Sequence, residues 1–330
     1  MNRPSNRLQI RTGVLATLSV SAIVTMETSA SAQSVPAGAL AQFEKTVGNR
    51  IEGVTILGGD YGASGGAYTF RGGSMANLSV TKIGGSGDIT TPIDLGKGIS
   101  WAPVLLGNIG YISAENQFKD GLLKGNKMLD NIFGLEFGVG AHFYLGEHLS
   151  LTPTIAGMYG HTENEFNPQN SVGHTIKTLA SGNFVDWRVD SWSVIPGLEL
   201  EYTWTWGRTI FDFSSRFSYF HTESFNSTSQ FISIDGNSQS WVNKIDVDVP
   251  LGWKVLGREL HTGGFISRTE LFGDAADGFK SDYLYTFNGR LVMDFLGKLW
   301  KVRWLGLGGS YIMGADFDGW SVGADVRFKF

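Results

Sequence analysis

The 330-residue chain contains no cysteine, so it has neither disulfides nor thiolate metal sites. No apolar run outside the first thirty residues approaches the ~20 that a membrane helix needs. Charged residues make up only 17 %, with 26 Lys and Arg against 31 Asp and Glu, so the electrostatic footprint of a nucleic-acid binder is absent. The glycines from Gly58 to Gly73 are not followed by Gly-Lys-Ser/Thr, which excludes a phosphate loop there. No cofactor and no metal centre is expected. What is abundant is glycine (45 residues) and aromatic side chains (10 Trp, 10 Tyr, 22 Phe), a balance suited to many strands joined by tight turns.

Residues 1–32 read as a secretory signal peptide. Arg3, Arg7 and Arg11 form a basic start, residues 14–26 are mostly apolar, and Ala30-Ser31-Ala32 offers a small-residue cleavage site before Gln33. The apolar part is too short to span a bilayer. Removing its three Arg and one Glu leaves 23 basic and 30 acidic residues, a net charge of −7.

At the other end the chain alternates without a break. Trp320, Val322, Ala324, Val326, Phe328 and Phe330 fall on one face of a strand, and Ser321, Gly323, Asp325, Arg327 and Lys329 on the other. This resembles the closing strand of a bacterial outer-membrane β-barrel. The resemblance implies that the terminal aromatics Phe328 and Phe330 are read by the barrel assembly machinery. A Lys or Arg facing lipid at the bilayer midplane costs roughly 2–4 kcal/mol, so Arg327 and Lys329 must face the lumen or sit near an interface. The same pattern in isolation also fits a soluble sandwich. A mean hydropathy of −0.04 does not argue against a membrane barrel, in which apolar and polar positions alternate.

Other segments repeat the alternation. Phe133, Leu135, Phe137, Val139, Ala141 and Phe143 oppose Glu136 and His142; Phe211, Phe213, Phe217 and Tyr219 oppose Asp212 and Arg216. Trp241, Ile245, Val247 and Val249 oppose Lys244, Asp246 and Asp248; Tyr285, Phe287, Leu291 and Met293 oppose Arg290 and Asp294. The apolar sets are expected to face lipid. The lumen is then lined by Glu136, Asp212, Arg216, Lys244, Asp246, Asp248, Arg290, Asp294, Asp325 and Arg327. Val185, Trp187 and Val189 are odd-numbered whereas Leu198, Leu200, Tyr202 and Trp204 are even, so a bulge is expected between Asp190 and Pro196.

Two short motifs punctuate these strands. Leu95-Gly96-Lys97, Leu145-Gly146-Glu147, Trp206-Gly207-Arg208, Leu256-Gly257-Arg258 and Leu296-Gly297-Lys298 place a glycine and a charge after a large apolar residue, as tight hairpins require. Between them an acid recurs shortly before a Phe, giving an outer rim of Glu115, His161, Glu163, His221, Glu223 and Glu270. Longer polar stretches follow, at about 116–129, 165–183 and 224–238. Short turns on one side and long loops on the other match the periplasmic and outer ends of such barrels, and five short turns imply twelve strands. The first strand lies within 50–57 or 66–72, so residues 50–330 are assigned to the barrel.

Residues 33–49 precede it. Pro36 and the face formed by Leu40, Phe43 and Val47 read as a short helix that would plug the pore, the alternative being a disordered periplasmic tail. Signal peptide, a helix before the first strand, twelve strands and a terminal Phe together resemble the translocator domain of an autotransporter. Too few residues precede the barrel for a passenger, so the likeness is to the solitary autotransporter-like barrels of Gram-negative outer membranes. The paired asparagines at which some of that family release the passenger are missing: Asn49 stands alone.

The expected fold is all-β, a transmembrane antiparallel barrel of about twelve strands. Its first functional reading is a non-enzymatic integral outer-membrane protein, and the alternatives are a passive small-solute channel and a surface hydrolase using His161 and His221. Hydrolysis needs a nucleophile or water held against an oriented base, and the repeated acids fit solvated rim residues better. Divalent-cation or lipopolysaccharide contact at the same acids is the second option. Expected partners are outer-membrane lipids, lipopolysaccharide and the barrel assembly machinery.

Overall fold

A computed structural model describes residues 62–71, 77–118, 121–294 and 302–328. The described chain is one closed antiparallel sheet. Its strands are β1 Gly62–Arg71, β2 Leu78–Asp88, β3 Ile93–Gly96, β4 Ile99–Gln117, β5 Lys127–Leu145, β6 Leu149–Asn167 and β7 Arg188–Trp206, followed by β8 Thr209–Ser227, β9 Asp235–Val255, β10 Arg258–Gly273, β11 Tyr283–Asp294, β12 Val302–Met313 and β13 Asp318–Phe328. Apart from β2 and β3, which do not pair with each other, each pairs with its neighbours in sequence, and β1 pairs with β13 to close the ring. β2 and β3 pair with successive parts of β4, Val104–Ala114 and Ile99–Trp101, so they form one interrupted crossing. The barrel therefore has twelve crossings, the number that the turn motifs imply. A closed cylinder leaves no unpaired strand edge, which is what allows a sheet to exist in hydrocarbon.

The two ends differ. At one end β3–β4, β5–β6, β7–β8 and β9–β10 are joined by two or three residues each. Gly96, Gly146, Gly207 and Gly257 have positive φ there, so the four described copies of the glycine motif are the tight turns. The fifth, at 296–298, lies outside the described residues. At the other end the connections 118–126, 168–187, 228–234, 274–282 and 314–317 are longer, and two carry helices, α1 Ser171–Ala180 and α2 Asp274–Phe279.

Inside-outside alternation follows the pleat. On β5, Leu135, Phe137 and Val139 are exposed on the outer surface, Phe137 at 62 %, whereas Glu136 between them is only 2 % exposed. On β7 the exposed apolar series runs from Trp192 through Val194, Leu198 and Leu200 to Tyr202. That span is close to the 9–11 residues with which a tilted strand crosses a bilayer.

Three local expectations change. β1 begins at Gly62, near the second of the two alternatives; residues 50–57 lie outside the described residues. β7 keeps a single phase from Val189 to Thr203, because the odd-numbered Val185, Trp187 and Val189 point inward instead of toward lipid. The register shift does fall at Asp190/Ser191, but these pair with Asn226 and Ser224, so the extra residue is Phe225 on β8. The polar stretches at 116–129 and 224–238 are shorter loops than expected, since strands continue to Gln117, Lys127, Ser227 and Asp235.

Candidate functional site: the lumen and its rim

The interior is layered. Its outer half holds one apolar cluster that joins Phe70, Val80, Ile112, Ile132, Val189, Phe220, Leu284 and Ile312, contributed by strands on every side of the barrel, with buried polar side chains such as Asp130, bonded to Asn164 at 2.7 Å, Thr162 and Thr222 among them. Loop residues drop into the middle of it. Trp187, fully buried, comes from the α1 loop, Ile232 and Ile234 from the β8–β9 loop, Ala275 and Phe279 from α2, and Phe317 from the β12–β13 loop. Phe317 meets Phe70 edge-on at 6.0 Å and Phe279 at 6.5 Å. Each large side chain so buried contributes about 1.5–3 kcal/mol, and together they form an apolar plug in the outer mouth.

α1 caps this plug through a second cluster of Leu123, Phe166, Ile176, Ala180 and Val185. Its start is set by Asn170, whose side chain accepts the Gly173 N–H at 2.8 Å. Gly173 has to be small, since a Cβ there would stand 2.3 Å from Asn126 Oδ1. Asn126 in turn accepts the Gln169 N–H at 2.6 Å and donates to the Leu123 carbonyl at 2.9 Å, tying the β4–β5 and β6–β7 loops together.

Below the plug the lumen is polar. Arg290 donates to both oxygens of Asp246, at 2.6 and 2.7 Å, with both side chains 1 % exposed. Asn108 donates to Glu136 at 2.6 Å, His261 Nδ1 is 2.7 Å from Asp248, His142 Nδ1 is 3.1 Å from Asp88, and Thr203 donates to Asp212 at 2.6 Å. Tyr144 also donates to Asp88. Thus Glu136, Asp246, Asp248 and Arg290 are buried inside the wall, and Asp212, Arg216, Lys244 and Asp294 are half-buried on the same face. The side chains of Asp325, Arg327 and Phe328, and all of Phe330, Leu40, Phe43 and Val47, lie outside the described residues. Sequence reading missed Lys82, Asp88 and His261, and it placed His142 on the inward face without counting it among the lumen-lining residues. It also passed over Glu199 and Glu201, although Leu198-Glu199-Leu200-Glu201-Tyr202 carries the alternation plainly.

The rim residues face outward at the loop end, and the acids come in pairs with bases. Glu115 meets Lys127 at 2.9 Å, Glu163 meets Arg188 at 2.7 Å, Glu223 meets His221 at 3.1 Å and Glu270 meets Arg268 at 2.7 Å. His161 Nδ1 lies 2.6 Å from Asp190, which also accepts from Tyr159 and Asn226 at 2.7 Å each. Asp190 had no signal in the sequence beyond its place at the phase change. With His161 it makes a His–Asp pair, but the other ring nitrogen looks toward Glu163 at 3.9 Å, and among the described residues no Ser or Thr hydroxyl is bonded to the ring. A base oriented by a carboxylate without a nucleophile in reach is half of a hydrolytic site.

A cylinder of twelve crossings with an aliphatic and aromatic exterior, an ionic interior and strands of bilayer-spanning length defines an integral outer-membrane β-barrel of a Gram-negative bacterium. Residues 90–323 match the model of the solitary outer membrane autotransporter beta-barrel domain, and the chain belongs to that family. Among solved structures it is similar to the beta domain of the Bordetella autotransporter BrkA (13 % identity, TM-score 0.50, covering 81 % of this chain and 98 % of that one). It is likewise similar to the transport unit of the autotransporter AIDA-I from Escherichia coli (10 % identity, TM-score 0.51, 81 % and 89 %). At these identities the likeness is one of fold. No curated protein matches the chain in sequence.

Proposed function

We propose that this barrel is a sealed, non-enzymatic wall of the outer membrane whose working surface is its structured outer loops, not its lumen. The apolar plug carries this reading: a water-filled path would have to pass Trp187, Phe279 and Phe317, all at most 5 % exposed. Only the polar lower lumen favours a passive channel, and it lies beneath that plug. Membership of the solitary barrel family supports a non-enzymatic role. Export by a signal cleaved after Ala32, recognition of Phe328 and Phe330 by the assembly machinery, and contact with lipopolysaccharide at the rim belong to the same reading. A helix over residues 36–49 filling the pore, as expected from the sequence, belongs to the same reading; it lies outside the described residues.

Refolded full-length protein in planar bilayers tests it. The expected trace shows no steady conductance, with or without residues 33–49. A large and stable conductance in the full-length protein would return the channel reading to first place.

A further inference from the structure

The periplasmic end is uneven. β9 pairs with β8 only as far as Asp248, opposite Ile210, yet it continues to Val255. Among the described residues β11 joins β10 only from Leu260 onward, opposite Met293. The β9–β10 hairpin thus runs seven residues past β8, roughly 23 Å of strand at about 3.3 Å per residue. It is also bent. Glu259 pairs with Lys254 and His261 with Pro250, so Leu251, Gly252 and Trp253 stand opposite Leu260 alone, with Gly252 at φ 74°.

Its tip does not bury its apolar side chains. Leu256 is 91 % exposed and Trp253 69 %, and beside them on the β7–β8 turn Trp206 is 79 % exposed. An ion pair between Arg208 and Glu259 fastens that turn to the hairpin, so the two form one patch. Trp206 belongs to the lipid-facing series of β7, which places the patch at the inner membrane surface. The two turns carry Arg208, Lys254 and Arg258 against the acid Glu259, to which Arg208 is paired, a local excess of two positive charges. The β5–β6 turn, Gly146-Glu147-His148, has neither Trp nor a Lys or Arg. Indoles seek the depth where hydrocarbon meets headgroups, and cations beside them select the sign of those headgroups.

We infer that this hairpin, with the β7–β8 turn, is a binding site for anionic glycerophospholipid headgroups of the inner leaflet, holding acyl chains against Trp206, Trp253 and Leu256 and phosphates against Arg208, Lys254 and Arg258. The chemistry is that of a phosphate diester on an apolar anchor. Free phosphate lacks the anchor, and lipid A resides in the opposite leaflet.

Native mass spectrometry of the refolded full chain in detergent, titrated separately with dioleoylphosphatidylglycerol, dioleoylphosphatidylcholine, lipid A and inorganic phosphate, tests the site. Each cation near an anionic surface is worth about fivefold in binding, so phosphatidylglycerol should be retained at least tenfold better than phosphatidylcholine. The variant Arg208→Gln, Lys254→Gln, Arg258→Gln should lose that preference, while Lys97→Gln in the β3–β4 turn keeps it; gel mobility before and after boiling confirms that each is folded. Equal retention of the two phospholipids, a triple variant that behaves as wild type, or equal binding of free phosphate would overturn the inference. So would a periplasmic protein that binds phospholipid-free micelles in a manner abolished by Trp253→Ser and Leu256→Ser.

Discussion

Arg290 on β11 and Asp246 on β9 form a two-pronged ion pair although β10 lies between them. They meet over Gly263, which pairs with Arg290 on one side and Asp248 on the other. A Cβ at Gly263 would approach the Val247 carbonyl oxygen to 2.6 Å and Arg290 Nε to 3.4 Å, so only glycine leaves the slot through which the guanidinium reaches. This pair locks three strands of the wall.

Removing one partner leaves a buried charge uncompensated. Arg290→Ala is expected to cost about 3–5 kcal/mol in urea unfolding from vesicles, whereas Arg290→Met combined with Asp246→Leu should cost far less. Equal losses in both would show that the pair does not matter as an ion pair.

The plug should behave as a core. Phe279→Ala and Phe317→Ala each should cost about 3–5 kcal/mol if the site cannot collapse, and the double variant should admit ions in planar bilayers where the parent does not. Loss of stability without conductance would mean that the seal lies elsewhere.

The rim ion pairs should matter little. Glu163 and Arg188 are 43 % and 67 % exposed, so Glu163→Gln should shift stability by no more than about 1 kcal/mol. His161→Ala and His221→Ala should leave any lipid- or peptide-hydrolysis signal of a purified preparation unchanged. A signal that disappears with either histidine would make the rim an active site.

One turn carries a residue unsuited to its backbone. Leu256 has φ 51° ahead of Gly257 at φ 74°, a pair of left-handed residues for which Asn-Gly is the preferred sequence. Because Leu256 buries almost nothing within the chain, Leu256→Asn should raise stability in detergent by about 1 kcal/mol, read from the same unfolding curve.

The strands, their number, the tight turns and most of the lumenal ion set were legible because period two and glycine are local signals. Trp187 and Val189 misled for a physical reason: at the outer mouth the lumen is filled with apolar loop side chains, so the rule that apolar residues face lipid reverses there. α1 was readable in principle, since Asn170 caps a run with Val172, Ile176 and Ala180 four apart, but its polar flanks masked it. The plug itself joins Phe70, Trp187, Phe279 and Phe317 from distant parts of the chain, and no local pattern announces such convergence.

The most direct measurement is a nitroxide scan of β5, made possible by the absence of any native cysteine. Single cysteines at positions 133 to 141, spin-labelled and refolded into vesicles, should show oxygen accessibility that oscillates with period two and peaks at Leu135, Phe137 and Val139. A flat profile, or maxima at Gly134, Glu136 and Gly138, would contradict the barrel with lipid outside and charge within.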